Sequence, residues 1–398
     1  MQTPSNFSER LCEVLLEAMG VCDKDARLIE LYAAPEADAD AWAALIADVN
    51  PQRETWAFNY MLTRLAVKFG WELFPAADVP LYQGLRRKFL AQNMTVLSGA
   101  LRYVRILNDH EIPALITKGA AMRLVFLPNV PQRIADADIV VARDAYNTCR
   151  ELGFSSGYTT ERYVPYSTDF AYEGHSCVDL HNTLFKSNVY RDEPLDLVFA
   201  RGSEIKRQGA RFYVPSPEDV FLHVMVNAAY NYLAADHGKG PISWLADCID
   251  LAESYEISYA DVVEHAREYG VWAHFQMAVV LMRHFLPDVF AELIERADVH
   301  VSHELLGRVE RSIGHLGGYH ERAAKLSGAQ RMVFAGWYIC AEHLYNFHMD
   351  DPLSVAVADF SASLKKRLKT LYGVEHITQV PALVGQRMQA WRQERQEQ

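Results

Sequence analysis

Three features are scarce in this sequence, and each scarcity excludes a class of protein. No stretch reaches the roughly 18 uninterrupted apolar residues of a membrane-spanning helix. The N-terminal segment has acids among its apolar residues and no cleavable apolar core. The six cysteines are scattered and form no CxxC pair, which favours reduced core thiols over a disulfide framework. These absences predict a soluble, cytoplasmic protein with no membrane partner.

Basic charge is the third scarce feature. The chain has 39 Lys and Arg residues against 51 Asp and Glu, a formal net charge of −12. General nucleic-acid binders need a basic surface to neutralise phosphates, so nucleic acid is disfavoured as a partner. A local basic pocket for one nucleotide is compatible with this balance. What the chain has in abundance is apolar side chains, 50% of 398 residues, which is enough for two or three domains.

Hydrophobic periodicity divides the chain into three segments. Residues 1–110 predict a helical N-terminal domain that contains a long amphipathic helix over 80–110. Residues 111–215 predict a small mixed-sheet core with one helix over 142–153 and strands at 114–117, 137–141, 170–173, 177–181 and 211–214. Residues 216–398 predict a helical C-terminal domain, with helices at 217–235, 242–255, 258–268, 271–286, 302–316, 328–347 and 353–373. The predicted fold class is therefore α+β.

Two acids precede an apolar strand in the core segment. Asp136 and Asp138 are two residues apart and are followed by the apolar run at 139–141. Side chains two apart on a strand project to the same side, about 7 Å apart. Two carboxylates held this close repel each other unless a cation lies between them. The pattern predicts a metal site.

The same DxD pattern occurs twice elsewhere and serves as an internal control. These copies are Asp23-Lys24-Asp25 and Asp38-Ala39-Asp40. Both lie in the helical N-terminal segment with no apolar strand after them, which predicts solvated helix starts. Context rather than the pattern itself distinguishes the third copy.

A third acid lies in the segment CVDLHNTL. Alternation places Asp179 and His181 on one face of a strand. A neighbouring strand with Asp136 and Asp138 would complete a carboxylate cluster for divalent ions, of the kind that acts on phosphate esters. Asp179 would then ligate the ion that activates an acceptor hydroxyl, or take the hydroxyl proton. The alternative is a strand acid that faces solvent.

A possible phosphate-binding turn precedes the acids. Lys118, Gly119 and Ala120 follow a short apolar run, and small residues at a strand-to-helix turn let phosphate approach the backbone N–H groups. Lys118 would add positive charge for a triphosphate. Arg133 could bind phosphate through its planar guanidinium group.

These motifs together carry a family resemblance. The segment LITKGAAMRLVFLPNVPQRIADADIVV, followed by VDLHNTL, resembles the nucleotidyltransferases of the polymerase-beta-like superfamily. Within it, the segment is most similar to a largely uncharacterised family with the rough pattern LKGxAL…Y…R…DIDLLV…LGY…IDLHW. The matched stretch, about 114–184, is under a fifth of the chain. The segment SWLADCIDL at 243–251 resembles the family more loosely.

The resemblance implies a nucleotidyltransferase core flanked by helical domains, with a defined reaction. A nucleoside monophosphate, with AMP from ATP as the favoured case, passes from a triphosphate bound with Mg²⁺ (or Mn²⁺) to a hydroxyl of a small molecule or peptide, and pyrophosphate is released. By resemblance Asp136, Asp138 and Asp179 are the catalytic and metal-binding acids. Lys118, Gly119, Ala120, Arg133 and His181 are the predicted nucleotide-binding residues. The chain departs from the pattern in that Ala120 offers no hydroxyl to phosphate and Ala137 stands where a larger apolar residue is usual.

Other functions and sites stay open at this stage. A catalytically silent relative that acts as a binding or scaffold module is the main alternative, and an unrelated metal-dependent phosphotransferase or hydrolase is another. A polar cluster could face the site or simply form a loop: Asn227, Tyr230, Asn231, His237 and Lys239. The scattered C-terminal histidines lack HExxH spacing and favour core or surface positions over zinc. The basic residues at 365–369 favour a solvated helix face.

Overall fold

A computed structural model describes residues 4–49, 54, 56–131, 133–164, 167–186, 193–233, 243–316, 325–326 and 349 of the chain. The helices predicted over 328–347 and 353–373 lie outside these residues. Among the described residues, no helix combines the length and the apolar composition that crossing a membrane requires.

Seven strands form one mixed sheet at the centre of the protein. The strand order is β3-β4-β5-β2-β1-β7-β6. β2 pairs with β5, and β1 with β7, in parallel, whereas the remaining neighbours are antiparallel. The strands are β1 Leu115–Ile116, β2 Ala137–Val140, β3 Thr159–Val164, β4 Ser167–Tyr172, β5 His175–His181, β6 Ser203–Arg207 and β7 Ala210–Val214. The mixed sheet and the flanking helices confirm the α+β prediction.

Helices precede the sheet along the chain, as predicted. They are α1 Pro4–Met19, α2 Asp23–Ala33, α3 Ala39–Ala47, α4 Trp56–Phe69 and α5 Val79–Asp109, with a 3₁₀ turn at Trp71–Leu73. α5 starts with Pro80 in its first turn, where a missing N–H leaves no helical bond unmade. Its apolar stripe, which includes Phe89, Val96 and Val104, is buried against the rest of the protein.

Hydrogen bonds join α5 to both halves of the sheet. Tyr158, which precedes β3, donates from its hydroxyl to the Gly99 carbonyl at 2.9 Å. Near the C-terminal end of the helix, the Asn108 amide exchanges two hydrogen bonds of 2.8 Å with the backbone of Arg211 in β7. α5 is therefore part of the layer that covers the sheet.

Within and after the sheet the helices follow the predicted order, with two additions. They are α6 Lys118–Ala121, which continues as a π-helical turn over Met122–Phe126, α7 Tyr146–Ser155, α8 Leu195–Arg201, α9 Pro217–Leu233, α10 Ser243–Ser254, α11 Tyr259–Glu268, α12 Trp272–Phe285, α13 Ala291–Ala297 and α14 His303–Leu316. The sequence did not predict α8 or α13. The helix predicted over 142–153 begins later, because residues 143–145 form a turn.

The helices before and after the sheet pack against each other. Buried apolar side chains of α2, β5 and α10 belong to one contiguous core, with Leu28, Leu180 and Leu251 all fully buried. Arg64 of α4 is 1% exposed and donates to Asp247 and to Asp250 of α10 at 2.6 Å each. Tyr32 of α2 donates to the same Asp250 at 2.6 Å. A buried ionic network thus ties the N-terminal helices to α10.

The two control DxD pairs lie at helix starts, which confirms the sequence interpretation. Asp38 is the N-cap of α3 and accepts from the backbone N–H groups of Asp40 and Ala41. Asp25, in the first turn of α2, accepts from the backbone N–H of Cys22 at 3.1 Å. The cysteines of the described residues are unpaired; Cys149, Cys177 and Cys248 are buried thiols, whereas Cys22 is exposed.

Candidate functional site

Two neighbouring parallel strands bring the predicted acids together. β2 and β5 pair in parallel with Asp138 directly opposite Asp179. Side chains at matched positions of adjacent strands lie on the same face and close together. Ile139 and Val140, next along β2, are buried and fix the strand in the core.

His181 and Lys118 are the positive partners of these acids. The His181 Nε2 lies 3.1 Å from Asp138 Oδ1 and 2.8 Å from Asp179 Oδ2, so that one ring bridges both carboxylates. The Lys118 ammonium donates to the same Asp138 Oδ1. His181 is 3% exposed and Asp138 is 7% exposed, so the group is largely shielded from water.

Charge within this group governs its protonation. Burial favours the neutral form of Asp138, but Lys118 and His181 outweigh burial and hold the pKa of that carboxyl well below its usual range. Burial likewise opposes the charge of Asp179, yet the His181 ring lowers its pKa. Burial also opposes the charges of His181 and Lys118, and the facing carboxylates raise the pKa of both. Both acids are therefore ionised and both bases favour the charged form.

Asp136 lies at the edge of the group. It precedes β2 in a bend and is only partly buried. Burial first, and then the charges of Asp138 and Asp179, raise the pKa of Asp136 to about 6. Asp136 is thus close enough to the other two acids to be influenced by their charge, and it is the least ionised of the three.

The metal-ligand atoms of the group lie close enough together to hold a divalent ion. One ligand atom each from Asp138, Asp179 and His181 lies within 4.8 Å of the other two. The second Asp179 oxygen, Oδ1, is buried and has no hydrogen-bond partner among the described residues. A buried carboxylate oxygen without a partner is unfavourable unless a cation or a donor reaches it. Carboxylate oxygens are the ligands that Mg²⁺ and Mn²⁺ prefer.

The Lys-Gly turn places Lys118 against Asp138. Lys118 has a positive φ of 49°, a left-handed conformation that costs a non-glycine residue roughly 1 kcal/mol. The backbone N–H of Thr117 donates to the Asp138 carbonyl at 3.0 Å, which ties the turn to β2. A Cβ added at Gly119 would lie 2.7 Å from the Ile134 Cγ2. Glycine is therefore required by the close approach of the segment that leads to Asp136.

A narrow pocket, with a volume of only about 10 Å³, adjoins the carboxylates on the side of α9. It is lined by Lys118, Leu184, Phe185, Lys186, His223, Val226, Asn227 and Tyr230. The Lys186 Nζ lies 5.7 Å from the centre of the Tyr230 ring. Burial, together with the charge of Lys118, lowers the pKa of His223 to about 3, so that His223 is neutral at physiological pH. The positive charge of this pocket therefore comes from its two lysines.

The structure brings some of the residues predicted from sequence together and separates others. Lys118, Asp138, Asp179 and His181 form one hydrogen-bonded group, and Asn227 and Tyr230 line the adjoining pocket. Ala120 is fully buried in α6. Arg133 is exposed and lines a different pocket, between α4 and α5. Asn231 is partly buried in α9, and His237 and Lys239 lie outside the described residues.

Sequence reasoning missed three features of the site. The bridging of both carboxylates by His181 was signalled only by its position two residues after Asp179. Lys186 and His223 carry no short motif, and only the fold brings them beside Lys118. No pattern in the sequence separates Arg133 from the Lys118 pocket.

Comparisons with known proteins give three results. A chain from the crystal structure of an antigenic nucleotidyltransferase-like protein from Paracoccidioides brasiliensis is similar to this chain, with 16% sequence identity and a TM-score of 0.35, and the match covers 52% of this chain and 93% of that one. No curated protein matches. The model of a family described as uncharacterised nucleotidyltransferases matches residues 33–287, well over half of the 398 residues. The chain therefore belongs to this uncharacterised nucleotidyltransferase family.

Proposed function

We propose that this protein transfers a nucleoside monophosphate from a triphosphate to a hydroxyl group of a small molecule or peptide and releases pyrophosphate. ATP is the favoured donor, with Mg²⁺ or Mn²⁺ as the metal. The observation that carries the proposal is the buried group of Asp138, Asp179 and His181, whose ligand atoms lie within 4.8 Å of one another beside Lys118. Family membership supports the same class of reaction.

The acids have distinct roles in this proposal. Asp138 and Asp179, with Asp136 at the edge, would hold the metal, which would supply positive charge to the phosphates and lower the pKa of the acceptor hydroxyl. Asp179 also has an unpaired oxygen, Oδ1, that could take the hydroxyl proton. The acceptor oxygen then forms a bond to the α-phosphorus, while the bond from that phosphorus to the pyrophosphate oxygen breaks.

The bases position the acids and the phosphates. His181 holds the two carboxylates side by side, because its Nε2 atom contacts an oxygen of each. Lys118 and Lys186 lie on the pocket side of the acids, where a triphosphate would need positive charge. Positioning and charge neutralisation supply most of the rate enhancement in phosphoryl transfer, because the transition state spreads its charge over the phosphoryl oxygens.

The proposal is tested by nucleotide binding and turnover in the same variants. Calorimetry with ATP, GTP, CTP and UTP, with and without Mg²⁺, measures donor binding. Pyrophosphate release and mass spectrometry of candidate acceptors measure transfer. Asp138→Asn and Asp179→Asn are expected to lower transfer more than about 100-fold, since each removes a carboxylate charge that would hold the metal beside the reacting phosphate.

Asp40→Asn is the matched control, because it changes an acid of the same DxD pattern in the first turn of α3, away from the sheet. This variant should retain full turnover, and circular dichroism should show that all three variants are folded. Full transfer by either site variant would contradict the metal assignment. Metal-dependent binding of a triphosphate without transfer to any acceptor would instead favour the silent binding module.

A further inference from the structure

A second pocket lies between α4, α5 and the segment before β2. Its volume is about 380 Å³, within the range of roughly 300–1,000 Å³ typical of small-molecule sites. It is lined by Glu54, Asn59, Leu85, Lys88, Phe89, Gln92 and Arg133. None of these side chains belongs to the Lys118 pocket or to the group of buried acids.

The lining combines positive charge, amides and one apolar wall. Lys88 and Arg133 are both exposed cations at this pocket. The single acid, Glu54, is paired with Lys24 at 2.8 Å, so its charge is largely compensated. Phe89 is 6% exposed and forms the apolar wall with Leu85. The pocket as a whole therefore favours an anion.

The amides add hydrogen-bonding capacity. The Gln92 Oε1 is buried and has no hydrogen-bond partner among the described residues, and Asn59 lies across the same pocket. An acceptor oxygen in this position is best satisfied by a donor such as a hydroxyl group. The chemistry that fits the pocket is thus a small anion that carries hydroxyl groups.

The chain links this pocket directly to the acids. Arg133 precedes Asp136 by three residues, so their Cα atoms are at most about 11 Å apart. Between them, the backbone N–H of Ile134 donates to the Asn93 side chain of α5 at 3.0 Å. The Ile134 side chain also packs against Gly119. Residues 133–136 therefore connect this pocket, on the α5 side, to the group of acids along the chain, whereas Lys118 lines the pocket on the α9 side.

We propose that the pocket lined by Lys88 and Arg133 binds the acceptor substrate, and that this acceptor is a small hydroxylated phosphate such as a sugar or polyol phosphate. The proposal rests on the proposed function and names its substrate class. Group transfer between two substrates needs two adjoining pockets. The proposed function assigns the nucleotide phosphates to the side of Lys118, which is hydrogen-bonded to Asp138 and lines the narrow pocket beside α9. This assignment leaves the roomier pocket of about 380 Å³ for the acceptor. Arg133 and Lys88 would bind the phosphate, while the amides orient the hydroxyl groups.

The experiment uses the full chain and a small set of probes. Ribose 5-phosphate, glucose 6-phosphate and glycerol 3-phosphate are titrated by calorimetry, each beside its unphosphorylated counterpart, and inorganic phosphate is titrated alone. At least one hydroxylated phosphate should bind more tightly than both its counterpart and inorganic phosphate. Lys88→Gln and Arg133→Gln should each weaken this binding about tenfold or more.

Arg87→Gln is the matched control for charge, because Arg87 is an exposed cation adjacent to Lys88 on α5 but does not line the pocket. This variant should bind the probe as the unmodified protein does. Asp138→Asn should also retain probe binding, because the acids lie outside the pocket. Unchanged binding in both pocket variants, or binding of no probe above the level of inorganic phosphate, would overturn the proposal.

Competition separates the acceptor from the nucleotide. Addition of ATP with Mg²⁺ should leave the probe bound, because the two ligands occupy different pockets. Displacement of the probe by ATP would assign this pocket to the nucleotide and overturn the acceptor proposal. If the unmodified protein binds the probe through Arg133 but binds no triphosphate, the proposed function fails while the anion site stands.

Discussion

At the residue scale, the identity of Gly119 is imposed by one neighbour. Its position lacks space for a Cβ because the Ile134 Cγ2 would lie 2.7 Å away. Gly119→Ala should therefore push the segment before β2 outward, lower the free energy of unfolding by about 1–3 kcal/mol and reduce transfer. Chemical denaturation measures the first effect, and pyrophosphate release measures the second.

Gly84→Ala is the control for this substitution, since a Cβ added at Gly84 in α5 meets nothing within 4 Å. It should raise the free energy of unfolding by about 0.5–1 kcal/mol, because alanine favours a helix interior over glycine. In an Ile134→Ala background, Gly119→Ala should become less destabilising. An equal loss with and without Ile134 would show that the clash is not the cause.

His223 gives a prediction for the pH dependence of stability. Its folded-state pKa of about 3 lies below the ordinary 6.5, so the unfolded chain takes up a proton that the folded chain refuses. The contribution of His223 to stability is complete above pH 6.5 and is lost as the pH falls toward 3. Between pH 8 and pH 4.5 this loss should be about 2–3 kcal/mol.

His223→Asn removes this titration, so its free energy of unfolding should fall less between pH 8 and pH 4.5 than that of the unmodified protein. His284→Asn, which changes an exposed histidine of α12, is the control for the loss of a histidine as such. Denaturant titrations at the two pH values measure both. Identical slopes for the unmodified protein and His223→Asn would contradict the prediction.

At the element scale, the pairing of α4 with α10 depends on one buried cation. Arg64→Met leaves Asp247 and Asp250 buried without their common partner, which should cost about 3–5 kcal/mol of folding free energy. Lys68→Met is the matched control, because Lys68 lies one turn further along α4 and pairs with the exposed Glu253 of the same α10 at 2.7 Å. Its loss should stay below about 1 kcal/mol. Similar values for the two variants in chemical denaturation would refute the assignment.

The elements that the sequence predicted are those with a strong apolar pattern. The helix over 80–110 and the strands that carry the acids agree with the structure to within a few residues, because apolar spacing is a direct record of burial. The two missed strands, β3 and β6, are the edges of the sheet. β6 has the sequence SEIKR and is largely exposed, so no alternation marks it.

The pairing of strands that are distant in sequence could not be predicted, for a physical reason. Alternation predicted that Asp136 and Asp138 share a face, and that Asp179 shares a face with His181. It could not show that β2 and β5 are neighbours with Asp138 opposite Asp179, because that register depends on tertiary packing. That Lys118 and Arg133 line separate pockets could not be predicted for the same reason. Local spacing carries no information on which helices pack beside each residue.

At the scale of the whole molecule, the predicted domain boundary at residue 110 can be tested with a fragment of the chain. α5 lies before that boundary, yet its Asn108 is hydrogen-bonded to β7, and Tyr103 donates to the Cys149 carbonyl of α7 at 2.8 Å. A fragment of residues 111–316 would expose the face of the sheet that α5 covers. We expect it to lack the cooperative thermal transition of the full chain in circular dichroism. A cooperative transition in this fragment would show that the core folds independently.

The pairing of Lys118 with Asp138 has a consequence for the order in which ligands bind. In the proposed function Lys118 already pairs with a carboxylate that would hold the metal, so a divalent ion would have to displace the ammonium. The phosphates of a nucleotide would then give the released ammonium a new anionic partner. If the proposed function holds, the metal and the nucleotide should therefore each bind far more tightly when the other is present. Without a nucleotide, the Lys118 ammonium itself neutralises the charge of Asp138.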